Sequence, residues 1–343
     1  MMDLLLFIWN IPVKMIKNTS SENFLTIAFS PHRIETLPFA QKLMQEHDFI
    51  ILEEPKNPLF YDFLENKVSL EEYLKSSDFW FPEFVKETLL LMKSLYNQGK
   101  VILQIEPYLE IVSKLQNAGE KEENLENLLE DQEVKEVYLK ENKAVGKLIE
   151  FYEASIGDDF LKIISTVKEF SKADAERFRL RDYLRAKAVL KFLPPKGKIY
   201  IESGTIHIYF KKLLHINLKK TWKIFHKFLL EEFLKPQFNR SWIFPPGELL
   251  TLRYILKRKE DPHIENLLAA RSLIYIKIIP KEEIIPTPED PFPHATREIS
   301  AINMVNKLSF EDCKILYKSL FFIKSYLEAK EIVKTYLFRK FKL

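Results

Sequence analysis

Four short apolar runs, rich in β-branched and aromatic residues and each followed by a stretch with helical spacing, organise the first two-thirds of the chain. They are Phe24–Phe29 (FLTIAF), Phe49–Leu52 (FIIL), Val101–Ile105 (VILQI) and Lys198–Ile201 (KIYI). Between the first two, Ile34–His47 places Leu37, Phe39, Ala40, Leu43 and Met44 on one helical face. Between the second and third, Phe84–Asn97 also has helical spacing, and Gly99 stands where that helix would end. Alternating strands and helices call for crossovers, because parallel neighbours cannot be joined by a tight turn. The expected fold is α/β, with a mostly parallel or mixed central sheet flanked by helices, a helical insertion and a helical C-terminal region.

The insertion begins with Gly119–Glu136 (GEKEENLENLLEDQEVKE), which holds eight acidic residues and two lysines, and helical periodicity continues to about Phe192. This reads as a solvated helical segment, with an acidic docking surface as the sharper alternative. Pro194-Pro195 then punctuates the chain before the fourth run. Beyond Leu218 the pattern predicts a helix over Trp222–Leu234, another opening at Pro245-Pro246-Gly247, a fifth strand at Leu273–Ile279 (LIYIKII) and a long helix from Phe310 to the end. The resulting plan has residues 16–118 as a first α/β half and 119–192 as the insertion. Residues 193–300 form a second α/β half and 301–343 a C-terminal helical segment.

Composition narrows the function classes. Fifty-two Lys plus Arg against forty-nine Asp plus Glu leave a formal charge of +3, so no overall basic field points to nucleic acid. The only cysteine is Cys313, which excludes an intrachain disulfide and any cysteine-built metal cluster and suits a reducing cytoplasm. Leu4–Val13 is apolar but too short to span a bilayer, so neither a signal peptide nor a membrane association is expected. Met15 is a candidate start codon that would make the first 14 residues an extension, so residues 1–15 are set apart as a possible start-site extension. Seven glycines and eighteen prolines make a stiff composition that suits a thermophile. Neither Gly-x-Ser-x-Gly, a Walker A motif nor a dinucleotide Gly-x-Gly-x-x-Gly occurs, so a nucleotide cofactor is not expected. The aromatic share of 13% suits a homodimer contact and a packed core equally.

The candidate chemistry follows the strands. After the first run come Ser30-Pro31-His32-Arg33-Ile34-Glu35; after the second, Glu53-Glu54-Pro55; after the third, Glu106-Pro107; after the fourth, Glu202-Ser203-Gly204-Thr205-Ile206-His207. In an open parallel sheet these segments share the edge where ligands bind. Taken singly, each histidine is an ordinary loop residue, and each glutamate an ordinary helix-start residue. Together they support two chemistries. One is binding of a divalent ion such as Zn, Mn or Co; the other is activation of water by a histidine base. Glu35, three residues beyond His32, would share its helix face and reach the same ion. Arg177, Arg181 and Arg185 form a stripe at four-residue spacing that fits either surface ion pairs or a pocket wall.

In order, these segments resemble the TraB/Tiki group of metal-dependent proteases and its erythromycin-esterase and ChaN-like relatives. The likeness rests on Gly204-Thr205-Ile206-His207 after the strand KIYIES, on Arg181-Asp182-Tyr183-Leu184-Arg185-Ala186, and on the strand end Glu53-Glu54. The first Gly-x-x-His stands here as Phe29-Ser30-Pro31-His32, and Glu106-Pro107 replaces a usual Asp-Arg. The resemblance covers roughly residues 24–215. It implies a hydrolase of peptide or ester bonds acting on a peptide or small-molecule substrate. His32, Glu35, Glu53 and His207 would hold the metal, while Glu53, Glu54, Glu106 and Arg181 would be catalytic. The esterase relatives imply a metal-free version with His32 or His207 as base. The glycine lost at Phe29 and the Arg missing after Glu106 leave as the rival a non-catalytic binding protein on the same scaffold, for a haem-like ligand, a peptide or a metal.

Overall fold

The computed structural model describes residues 23–75, 80–120 and 125–341, so the candidate start-site extension and the Leu4–Val13 run lie outside the described residues. The chain divides into two compact units, each built from two separated stretches. The first joins the described part of Met1–Glu110 to Leu184–Ser241, and the second joins Ile111–Tyr183 to Trp242–Leu343.

In the first unit, β1 (Phe24–Ser30) is followed by a 3-10 turn (Ile34–Thr36), α1 (Leu37–Gln45) and β2 (Phe49–Leu52). Then come α2 (Phe60–Leu64), α3 (Leu70–Leu74), α4 (Pro82–Asn97) and β3 (Val101–Gln104). α1 and α4 both open with a proline in the first turn, where the missing N–H costs nothing. Gly99, at φ +86°, lets the chain leave α4 in the left-handed conformation.

The chain passes to the second unit along α5 (Pro107–Glu120), followed by α6 (Leu125–Leu128), α7 (Gln132–Ile156) and α8 (Phe160–Phe192). The expected helical insertion is thus a set of separate helices. Residues 121–124 of its acidic segment lie outside the described residues. The last turns of α8 return to the first unit, which is completed by β4 (Lys198–Gly204), α9 (Ile208–Leu218), β5 (Lys223–Phe228) and α10 (Glu231–Phe238).

All five strands are parallel, in the order β3-β2-β4-β1-β5. Their near-continuous apolar sequences reflect burial on both faces. α1 and α4 pack on one face, against Ala28, Ile50, Leu52, Ile102 and Tyr200. α9 and the end of α8 pack on the other, against Leu25, Ile27, Phe29, Ile51, Ile199 and Ile201. The connections leaving β1 and β2 run toward β3 and the connection leaving β4 runs toward β5, so the order reverses at β4. In open parallel sheets ligands bind at such a reversal, which here lies at the carboxyl ends of β2, β4 and β1.

The second unit is completed by α11 (Pro246–Ile255), α12 (Pro262–Ile278), α13 (Pro293–Val305), α14 (Phe310–Leu320) and α15 (Tyr326–Phe341), with α12 packed against the other four. Three expectations are corrected here. Leu273–Ile279 is the end of helix α12, where Leu273, Ile274, Tyr275 and Ile278 are all buried. A helix buried on several sides loses the polar stripe that would distinguish it from a strand. Conversely, the expected helix over Trp222–Leu234 begins as β5, an edge strand whose lysines protect an open sheet edge and blur its alternation. The single long C-terminal helix is two helices, broken after Leu320.

Candidate functional site

The end of β1 is a strained turn. Ser30 is the last strand residue, and its Oγ accepts the backbone N–H of His32 at 3.0 Å. His32 carries φ +52°, a left-handed conformation that costs a residue with a Cβ on the order of 1 kcal/mol and is retained where surroundings over-determine it. A tight turn therefore exists without the glycine of a Gly-x-x-His motif, because the histidine adopts the glycine-like conformation itself. Its imidazole keeps 35% side-chain exposure, lies against the Phe84 ring at 5.9 Å between centroids, and brings Nε2 to 3.7 Å from Glu202 Oε1.

The ends of β2 and β4 interlock. Glu202 Oε2 accepts the backbone N–H of Glu53 at 3.1 Å, so one glutamate's side chain fixes the other's backbone. Glu53 Oε1 pairs with His207 Nε2 at 2.8 Å, while Oε2 accepts the N–H of Gly204 and pairs with Arg185 Nη1 at 3.1 Å. The space around Gly204 is tight, although its φ is not in the left-handed region. A Cβ there would lie 3.2 Å from His207 Cδ2, 3.6 Å from His32 Cε1 and 3.7 Å from Glu53 Oε2. Both histidine rings and the glutamate thus converge on one backbone position.

Arg185, on the last turns of α8, ties these strand ends together from below. Fully buried, it donates from Nε to the carbonyl of Ile105 at 3.1 Å and from Nη2 to the carbonyl of Glu202 at 2.7 Å. Its Nε also lies 3.7 Å from Glu106 Oε2, and its guanidinium covers the Phe210 ring at 4.9 Å. A buried guanidinium this heavily engaged offsets its own desolvation, and holds β2, β3 and β4 in fixed relation.

Glu54 turns to the opposite side of its strand from Glu53 and accepts Gln104 Nε2 at 2.8 Å. Burial, reinforced by the charge of Glu202, pushes its carboxyl up to about 7, against the Gln104 hydrogen bond that lowers it. A carboxyl with that affinity exchanges protons at neutral pH.

The structure therefore brings His32, Glu53, Glu54, Glu106 and His207 to one edge. Glu35 does not share a helix with His32: Arg33 between them is extended, and Glu35 is buried within a 3-10 turn, so helical spacing does not relate the two. Arg181 belongs to the second unit, where its charge acts on Asp174, and Arg177 pairs there with Asp174 and Glu141. The guanidinium at the site is Arg185, one turn further along the stripe. Glu202 was not singled out by sequence either, although its place in KIYIES, alternating with Ile201 and Ser203, puts it beside Tyr200 on the α1/α4 face.

Among the described residues no group of three or more His, Cys, Asp or Glu side chains is disposed to hold a divalent ion. Both oxygens of Glu53 are already engaged by His207, Arg185 and Gly204. Cys313 is buried in the second unit, and burial pushes its thiol up to about 12, which makes it inert as a nucleophile.

No family model matches the chain, and no solved structure matches it. An uncharacterized protein of Archaeoglobus fulgidus is 31% identical over 293 residues, which is 85% of this chain and 97% of that one. At that identity and coverage the chain belongs to the same family as the Archaeoglobus protein.

Proposed function

We propose that this protein is a hydrolase of peptide or ester bonds in which histidine, assisted by glutamate, activates water. The observation that carries this reading is the chain of contacts at the carboxyl ends of β2, β4 and β1. It runs His207 to Glu53, Glu53 backbone to Glu202, and Glu202 to His32. His32 is the accessible member and acts as base: it takes a proton from water as the water attacks a carbonyl carbon. Glu202, at 3.7 Å, stabilises the imidazolium. Glu54, protonated near neutral pH, gives its proton to the departing amine or alcohol; His32 then releases the proton it took to solvent and Glu54 takes one up, which restores both groups. Glu53, Arg185 and His207 position Glu202 through the backbone they fix. The likeness of Gly204–His207 and of Arg181–Ala186 to the erythromycin-esterase and TraB/Tiki relatives agrees with this class of reaction.

The test is a panel of activated esters and fluorogenic peptides assayed with wild type, His32→Ala, Glu202→Gln and Glu53→Gln. Loss of the base should lower kcat by about 10²–10⁴-fold, with KM little changed. Turnover that persists in His32→Ala and Glu202→Gln, with their melting temperatures intact, would remove this assignment. Absence of any turnover in wild type, together with retention of a ligand that Glu202→Gln releases, would instead favour a non-catalytic binding protein on the same scaffold.

A further inference from the structure

Between Glu202 and Glu231 the chain carries no acidic residue, yet it holds six lysines and three histidines. The six lysines, with His215 and His226, fall on α9, the turn after it and the edge strand β5, so a charge imbalance diluted over the whole chain is concentrated on these two neighbouring elements. Among the described residues, Lys227 is paired, with Glu232 at 3.2 Å. Lys211, Lys212, Lys219, Lys220 and Lys223 have no acidic partner there. His226, level with Ile27, turns toward α9, and burial, then the charge of Lys211, holds its imidazole below the usual range, against Glu231. Lys223 and Phe225 alternate with it and lie on the other face of the sheet, beside Phe24.

The patch also carries aromatic surface. Phe225 projects from β5 with 53% exposure and meets Phe24 edge to face at 6.1 Å between centroids. Lys198 Nζ lies 5.2 Å from the Phe24 centroid. In register, Lys198, Phe24 and Lys223 form one row across β4, β1 and β5 at the amino ends of the strands, the end opposite the candidate site. Asp48, the acid near this row, has its carboxylate on the backbone N–H of Lys198.

We propose that this amino-end surface binds single-stranded nucleic acid, with Lys198, Lys219, Lys220 and Lys223 holding phosphates and Phe225 stacking on a base. A row of unpaired lysines follows a phosphate backbone, and an exposed ring offers the sequence-tolerant stacking that single strands present and duplexes hide. A membrane surface fits less well. It needs a continuous apolar face, whereas the apolar face of α9, formed by Phe210, Leu214 and Leu218, is spent on the sheet.

The experiment is fluorescence anisotropy of labelled oligo-uridine and oligo-thymidine of about 16 nucleotides at about 50 mM salt and upward. The proteins are wild type, Lys219→Gln/Lys220→Gln and Phe225→Ala, with poly-glutamate and anionic vesicles as comparators. Salt-dependent binding by wild type is expected. The double lysine variant should bind about tenfold more weakly, with its log–log salt slope reduced by about 0.7 per lysine, while Phe225→Ala weakens binding without changing the slope. The proposal is overturned if wild type does not bind either oligonucleotide, if the variants bind as wild type does, or if poly-glutamate or vesicles bind as tightly as RNA. Melting curves of both variants separate loss of binding from loss of fold, and ester or peptide turnover should be unchanged in both.

Discussion

At the residue scale, Glu54 sets a testable pH dependence. Its carboxyl is raised from an ordinary 4.5 to about 7, so the folded state holds a proton that the unfolded chain releases. That contribution is fully present below about 4.5 and is lost as pH rises through about 7. Glu54→Gln, which keeps the shape and removes the charge, should be more stable than wild type at pH 8 by about 1–3 kcal/mol, and equal to it at low pH. Urea denaturation at several pH values checks this, and a constant difference across the range would contradict it. His47 contributes the opposite dependence. Buried between Leu43 and Thr26, with its ring held below the usual imidazole range by burial, it favours the folded state above about 6.5, and that favour is lost as pH falls. Sequence identified His32, Glu53, Glu54, Glu106 and His207 because strand-end positions can be read from apolar runs. It did not single out Glu202 or separate Arg185 from Arg181, since a four-residue stripe does not say which turn of a long helix meets the sheet.

At the element scale, strands buried on both faces were the legible ones. β1 to β4 are runs of apolar residues whose starts agree with the sequence reading and whose ends differ from it by at most a few positions. β5 was illegible because an edge strand half in water can afford Lys223, His226 and Lys227, and its alternation then resembles a helix. α12 failed in reverse, being apolar on more than one side at the centre of the helical unit. The same asymmetry should appear in native-state hydrogen exchange. Amides of β5, which pairs only with β1, should exchange well before those of β4, which is paired on both sides. Equal protection in the two strands would mean that something else covers the β5 edge.

At the scale of the whole molecule, the fold class followed from strand–helix alternation, whereas the strand order did not, because alternation does not reveal which neighbour a strand will choose. That order is held by Arg185, which reaches the ends of β2, β3 and β4 at once. Arg185→Met leaves Glu53 without its buried guanidinium, and should cost about 3–5 kcal/mol. Thermal melts would register that loss, and a variant as stable as wild type would show that the strand ends do not depend on this side chain.

The position of β1 carries a consequence for biosynthesis. Both of its sheet partners, β4 and β5, are encoded far downstream, on the other side of the helical segment. At a synthesis rate of about 5–20 residues per second, β1 emerges from the ribosome on the order of ten to forty seconds before either partner. During that interval an apolar strand with two open edges has no native place to go, so FLTIAF is the segment a nascent-chain chaperone would be expected to shield.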